Sequence, residues 1–215
     1  MLQYFLKLVV GGLGCPAAEN LVRSGIGNIG LIDDDIVGLS NIHRQSLFDT
    51  KDVNKSKVIV AKRKLKAINP NTKIKTYKKR LNNKNIKEII KNYDLIIDGS
   101  DNFETKFLLN DICLKYKKKL ITGAISKFDG HIFTFNFKDK KTASLRDFYQ
   151  EEEISDDILN CEFEGVLGTT ATIIGAVQAN EAIKMITEIG QNLKNEILII
   201  DLLNLNFRKV KFKKI

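Results

Sequence analysis

An apolar run at residues 4–10 ends on Gly11-Gly12-Leu13-Gly14 and passes at once into a helix-compatible stretch at 15–23. No other segment of the chain limits its fold so narrowly. A buried strand that turns on glycines into a helix brings bare backbone N–H groups and the positive end of the helix to one point, an arrangement that suits a phosphate. Ser24-Gly25 stops the helix, and residues 29–32 read as a second short buried strand ending on Asp33-Asp34-Asp35. Asp33 lies about 20 residues past the turn, where a carboxylate can accept hydrogen bonds from ribose hydroxyls. In the G-x-G-x-x-G fingerprint the place of the first glycine falls on Val9. The match is therefore imperfect, and a glycine turn built for packing alone would look the same.

The segments that follow extend this unit. Val58, Ala61, Leu65 and Ile68 recur at helical spacing over 56–68, and Asn69-Pro70 closes that helix. A strand at 73–77, a helix at 84–92, a strand at 95–98, a helix at 104–116 and a strand at 120–122 come next. Alternating strands and helices joined by short links predict an α/β fold with a doubly wound, mainly parallel, Rossmann-like sheet. Beyond Gly123 the pattern changes. Residues 130–137 place Phe133, Phe135 and Phe137 on one face, as an antiparallel strand would, and 138–168 form a long polar stretch with the acidic run EEEISDD at 151–157. A helix at 170–186 and apolar runs at 196–201 and 203–212 complete the chain. The expectation is a single domain over 1–215, with a crossover loop around 138–168 and a sheet extended by antiparallel C-terminal strands.

Composition narrows the class. With 43% hydrophobic residues and two prolines among 215, the chain can bury a real core and is not mainly disordered. Its 35 basic and 26 acidic residues give +9, which favours an acidic partner; no recognition motif accompanies the charge, so no nucleic acid is expected. Cys15, Cys113 and Cys161 lie far apart with no CxxC pair, which argues against a disulfide scaffold and a cysteine-built zinc site. The N-terminus lacks the pattern of a signal peptide, and Gln178, Asn180, Glu181 and Lys184 interrupt the most apolar later stretch. A soluble protein of the cytoplasm or an organelle stroma is expected, with no membrane partner.

A further set of polar residues decides which nucleotide chemistry fits. Ser40-Asn41-Ile42-His43-Arg44-Gln45 follows the acidic loop, Lys57 opens the next helix, and Asp101-Asn102 follow the strand that ends at Asp98. A hydride-transfer enzyme seldom needs two cations and a second carboxylate around the phosphates. An enzyme that breaks a triphosphate does, because charge builds on the departing oxygens and magnesium takes oxygen ligands.

At these residues the sequence resembles the ThiF/MoeB/HesA family, adenylyltransferases akin to ubiquitin-activating enzymes. The matching segments are GGLGCP (11–16), GIGNIGLIDDDIVGLSNIHRQ (25–45), NKSKVIVAK with Lys57, INP (68–70), DLIIDGSDN (94–102) and CEFEGVLG (161–168). The resemblance runs from about residue 7 to the end of the sequence. It implies that Gly12 lines the phosphate loop, Asp33 holds the ribose, and Asn41, Arg44 and Lys57 grip the triphosphate. Asp101 would hold magnesium, with Asn102 beside the nucleotide. It also implies the reaction: the C-terminal glycine carboxylate of a ubiquitin-like sulfur carrier attacks the α-phosphate of ATP, and a sulfur donor protein later displaces AMP. The carrier would be MoaD-like or ThiS-like, serving molybdopterin or thiamin synthesis, and the enzyme a homodimer.

Individual residues carry plainer readings too. His43 reads as a loop residue, His131 as structural at the start of a strand, and Cys15 and Cys113 as buried packing residues. Cys161 corresponds to a cysteine that in relatives forms a covalent link to the carrier or takes part in sulfur transfer; the alternative is a loop cysteine. Many members bind zinc through two CxxC pairs that are missing here, so no zinc is expected. Ser144-Leu145-Arg146-Asp147 resembles the S-x-R-D segment of the zinc-free, MoeB-like branch, with Arg146 a candidate for a carrier or structural contact. Relatives also carry a longer stretch before the first strand, with an arginine that reaches the neighbouring subunit's ATP. Two rival functions remain at this point: a scaffold that keeps the fold without turnover, and an NAD(P)-dependent oxidoreductase.

Overall fold

The computed structural model describes the backbone over residues 2–149 and 165–215, and the side chains over 10–149 and 165–215. Eight strands are present there: β1 (Leu2–Val9), β2 (Ile26–Ile32), β3 (Lys73–Tyr77), β4 (Leu95–Asp98), β5 (Lys119–Ser126), β6 (Asp129–Asn136), β7 (Glu196–Asp201) and β8 (Asn206–Lys211). They form one sheet in the order β3-β2-β1-β4-β5-β6-β7-β8. The first five are parallel, and β6, β7 and β8 add on antiparallel. The helices are α1 (Gly14–Arg23), α2 (Lys57–Ile68), α3 (Ile86–Ile90), α4 (Phe103–Lys115), α5 (Leu145–Phe148) and α6 (Gly168–Thr187).

The two faces of the sheet carry separate apolar cores. Leu95 and Ile97 join one cluster with α1, α2 and α6, while Ile96 joins the other with α3 and α4. This is the period-2 pleat of a strand covered on both faces, and it explains why β4 is apolar up to Asp98. The expected phenylalanine face of β6 is present. Phe133, Phe135 and Phe137 stack at centroid separations of 5.9 and 5.4 Å, and Phe148 and Phe212 meet Phe133 edge-on. Arg146, expected as a carrier or structural contact, grips both oxygens of Asp111 on α4 with its guanidinium at 2.8 Å.

Element types match the sequence reading except for the short helix α5 inside the stretch expected as a crossover loop, and several boundaries differ. The strand expected to stop at 122 continues through Gly123 to Ser126, because pairing with β6 extends the ladder as far as Asp129. The helix expected at 84–92 is only Ile86–Ile90, preceded by a turn in which Asn82 and Asn85 bond to each other's backbone. The last strand contracts to Asn206–Lys211 because the chain turns at 202–205. No described helix is long and apolar enough to cross a membrane.

Helices α1 and α6 lie against each other on one face of the sheet, with α6 touching the glycine turn. A methyl group at residue 175 would sit 2.5 Å from the Leu13 carbonyl oxygen and 2.6 Å from the Pro16 ring. Neither can yield, so only glycine permits the contact. Alanine is better than glycine in a helix by about 1 kcal/mol. Gly175→Ala should nevertheless destabilise by about 1–3 kcal/mol, the usual cost of overpacking, and should weaken nucleotide binding through Leu13. Urea unfolding and a nucleotide titration would check both.

Candidate functional site

Strand β1 is flanked by β2 on one side and β4 on the other, and the chain reverses its direction of progress across the sheet there. Parallel strands carry their connecting loops at opposite ends, so the loops after β1, β2 and β4 rise from the same edge. This is the switch point where ligands bind in open α/β sheets. Val9 pairs with Ile32, and Leu8 with Ile97, so Gly11-Gly12, Asp33 and the 99–102 loop emerge side by side.

The loop after β4 is held by a buried carboxylate. Asp98 is fully buried and accepts hydrogen bonds from the Ser100 hydroxyl and Thr122 hydroxyl, both at 2.6 Å, and from Lys106 Nζ at 3.2 Å. Its backbone carbonyl accepts from Gln178 of α6 at 2.8 Å. Lys106 also donates to the Gly123 carbonyl at 2.6 Å. The network ties α4, β5 and α6 to one strand end. It sets Gly99 so close to the glycine turn that a methyl group there would lie 3.1 Å from Leu13 Cβ and 3.3 Å from the Gly14 nitrogen.

Around this frame the expected site residues take their places. Gly12 lies in the turn, and a methyl group on it would be 3.7–3.8 Å from Ala171 and from the stem of Arg44, so Arg44 passes directly over the turn. The guanidinium of Arg44 donates to the Ser40 carbonyl at 3.0 Å and lies 2.9 Å from the His43 ring. Asn41 accepts from the Gly38 backbone N–H at 3.1 Å, and its own carbonyl accepts from Arg44 N–H, which shapes the loop that delivers Arg44. Lys57 begins α2 with its side chain only 6% exposed and its ammonium 2.8 Å from Asp35. Asn102 caps α4 by accepting from Thr105 N–H at 2.9 Å and donates to Asp101 at 3.1 Å. No described hydrogen bond or ion pair joins Asp101 to Gly12, Arg44 or Lys57. Cys161 lies outside the described residues, as does the side chain of Val9.

Asp33 follows β2, with its N–H on the Tyr77 carbonyl at 3.1 Å. Burial pushes its carboxyl up to about 6, against the pull of the Asp35 N–H and the Lys57 charge. The carboxylates of Asp33, Asp34 and Asp35 lie within 4.8 Å of one another, and Lys57 offsets part of that charge. Burial likewise pushes the Cys15 thiol up to about 12, which keeps it inert as a packing residue; Cys113 is buried too. Burial lowers His131, as fits a structural role.

The residues present fit a nucleotide and magnesium. Three buried acceptors, Gln45 Oε1, Ser56 Oγ and Gln178 Oε1, have no described partner, and the first two sit on the segments that carry Arg44 and Lys57. Asp101 is an exposed carboxylate of the kind that magnesium shares with phosphate oxygens. A cavity of about 520 Å³ opens beside Arg44, lined by His43, Leu167, Gly168, Thr172 and Ile173. Sequence reasoning had not assigned Asp98, Lys106, Thr122 or Gln178 to the site. The available signal was an acidic residue closing an otherwise apolar strand.

Fold and site together define a Rossmann-like domain in which a glycine turn, an arginine and a lysine lie on the edge of the sheet where such folds take their ligands. A sequence profile described as "ThiF family" matches residues 8–214. The chain belongs to the ThiF family. A "Probable molybdopterin-synthase adenylyltransferase" of Porphyra purpurea is 41% identical over 202 residues, covering 94% of this chain and 52% of the relative. A "Sulfur carrier protein adenylyltransferase" of Thermus thermophilus is 36% identical over 203 residues, covering 93% of this chain and 75% of the relative. The chain thus spans about half the length of the first relative and three quarters of the second. Among solved structures, Escherichia coli MccB with ATP superposes with a TM-score of 0.86 at 22% identity, over 98% of this chain and 63% of that one. That likeness speaks for the fold.

Two outcomes follow. In the ribose-holding role that the resemblance implies, Asp33 must be ionised to accept from the hydroxyls, so nucleotide affinity should fall as pH drops through about 6. From about pH 7 to about pH 5 the loss should approach tenfold, as expected for one carboxylate that must deprotonate to bind. Asp33→Asn should bind more weakly at neutral pH and lack this component, as read by calorimetric titration of both proteins. Because its carboxyl lies above the ordinary value in the folded state, Asp33 favours folding below about pH 4, and that contribution is lost as pH rises through about 6. Separately, Asp98→Ala would strand the Lys106 ammonium in the core. It should cost about 3–5 kcal/mol, the penalty for breaking a buried pair, measured by denaturant unfolding.

Proposed function

We propose that this chain adenylates the C-terminal glycine carboxylate of a ubiquitin-like sulfur carrier, MoaD-like or ThiS-like, at the expense of ATP. The observation that carries the reading is the stem of Arg44 crossing the Gly12 turn, with Lys57 buried beside Asp33 on the same edge of the sheet. The names of the relatives, an adenylyltransferase for molybdopterin synthase and one for a sulfur carrier, support it.

The chemistry suits the residues. A glycine carboxylate is already ionised near neutral pH, so the attack on the α-phosphorus needs no general base. It needs alignment and neutralisation of charge on the leaving pyrophosphate. The glycine turn and the Asp33 carboxylate hold the nucleotide at both ends, and Arg44 and Lys57 supply fixed positive charge. Asp101 would hold magnesium, which neutralises phosphate oxygens when bound, and Asn102 would lie beside the nucleotide. The products are carrier-glycyl-AMP and pyrophosphate. A sulfur donor protein then displaces AMP to leave a thiocarboxylate, and Cys161 is the candidate for a covalent or relay role in that second step. The enzyme acts as a homodimer in the cytoplasm or an organelle stroma, without zinc.

Carrier-dependent ATP–pyrophosphate exchange with magnesium tests the reading. Exchange should occur with one carrier and fall by about 100-fold or more in Arg44→Ala, a loss typical of removing one charge-stabilising donor. Cys161→Ser should leave exchange intact while lowering thiocarboxylate formation. A folded protein that binds ATP yet exchanges with neither carrier would instead be a scaffold.

A further inference from the structure

The total charge of the chain conceals how unevenly it is placed. Residues 73–91 carry eight basic side chains, Lys73, Lys75, Lys78, Lys79, Arg80, Lys84, Lys87 and Lys91, against one acidic residue, Glu88. That leaves +7 on 19 residues and +2 on the other 196. All eight are exposed, and none forms an ion pair among the described residues. Elsewhere on the surface, cations such as Arg63 and Lys64 are matched by Asp49 and Asp52.

The fold gathers these residues along one edge of the sheet. Strand β3 is the edge of the sheet. Ile74 points into the core shared with α1 and α2, whereas Tyr77 packs into the core shared with α3 and α4. By the period-2 pleat, Lys73 and Lys75 project on the α3 side with Tyr77. Lys75 lies over the Tyr77 ring at 5.3 Å, and the Tyr77 hydroxyl accepts from Tyr93, which closes the turn after α3, at 2.9 Å. Lys78, Lys79 and Arg80 continue from the end of β3, and Lys84, Lys87 and Lys91 come from the turn before α3, from α3 itself and from its end.

We propose that this β3–α3 face binds duplex nucleic acid through its phosphate backbone, without reading sequence. The choice of partner rests on what the face lacks. Over 73–91 no large hydrophobic side chain is exposed. A stable protein interface has an apolar centre with a polar rim, and a peripheral membrane surface adds inserted apolar groups to the attraction of its basic residues for an anionic bilayer. Surfaces for nucleic acid are polar and strongly positive. Exposed aromatic rings for stacking on bases are also missing there, which points to phosphate contact with a duplex rather than to a single strand. The inference is independent of the adenylation reading.

Fluorescence anisotropy with a labelled DNA duplex of about 20 base pairs, repeated with an RNA duplex, tests it. Four or more phosphate contacts should make affinity fall about 100-fold between about 50 and about 200 mM salt. The triple variant Lys73→Glu, Lys75→Glu, Lys79→Glu should abolish that binding, and the glutamine triple should weaken it and flatten its salt dependence. Lys209→Glu with Lys211→Glu, on the opposite edge strand β8, should change it far less. Retained ATP binding in each variant would show that the fold survives. Absence of salt-sensitive binding would overturn the proposal, as would equal binding by the glutamate triple. It would equally fail if that triple lost carrier-dependent exchange, or capture by phosphatidylserine vesicles, while the wild type bound neither duplex.

Discussion

A carboxylate with no access to water sits at the end of the central strand, and the site depends on it. Asp98 cannot be solvated, so its charge must be met by Lys106, Thr122 and Ser100, and each of these belongs to a different part of the fold. Satisfying one buried anion therefore fixes the first turns of α4, the middle of β5 and the loop that leads from β4 into α4. The Gln178 bond to the Asp98 carbonyl extends the constraint to α6, which carries Ala171 toward Gly12 and touches Leu13 through Gly175. Buried polar networks of this kind position groups closely because any displacement leaves a desolvated partner behind.

The electrostatics above this base follow the same logic at lower cost. Asp33 is buried enough to resist ionisation, and Lys57 is buried enough that its charge is felt by its neighbours. Asp35 holds the lysine ammonium at the protein surface, where its own carboxylate is largely exposed. Arg44 is delivered separately, by the turn at 38–41 in which Asn41 is bonded to Gly38. A β2–α2 connection that supplies the acidic residues, the arginine and the lysine in sequence is efficient for an anionic ligand, because one loop sets their relative heights.

Much of this was legible in the residues. Apolar runs and helical spacing predicted the order of elements, since each strand or helix must bury a face with its own period. The glycine turn and the carboxylate after the next strand pointed to the same edge because parallel strands send their loops one way. Boundaries were less legible. Strand β5 passed through Gly123 because its pairing partner β6 decides where the ladder ends, and nothing within 119–126 encodes that. The pairing of Arg146 with Asp111 was not legible in sequence, because the two lie 35 residues apart and only the fold brings α4 to the segment that carries the arginine.

Local chemistry along the chain determined the fold class, the nucleotide edge and Asp33 as a candidate on it, because turn geometry and periodicity act over a few residues; the family resemblance implied the roles of Gly12, Arg44, Lys57 and Asp101. The tertiary structure alone decided which of them meet. It laid Arg44 over Gly12, paired Lys57 with Asp35 and left Asp101 touching only Asn102 among its described bonds. It also buried Asp98 beneath them all. Burial and distance between residues remote in sequence arise only when the sheet closes its two cores, and they set the positions of the groups in the site and the raised carboxyl of Asp33.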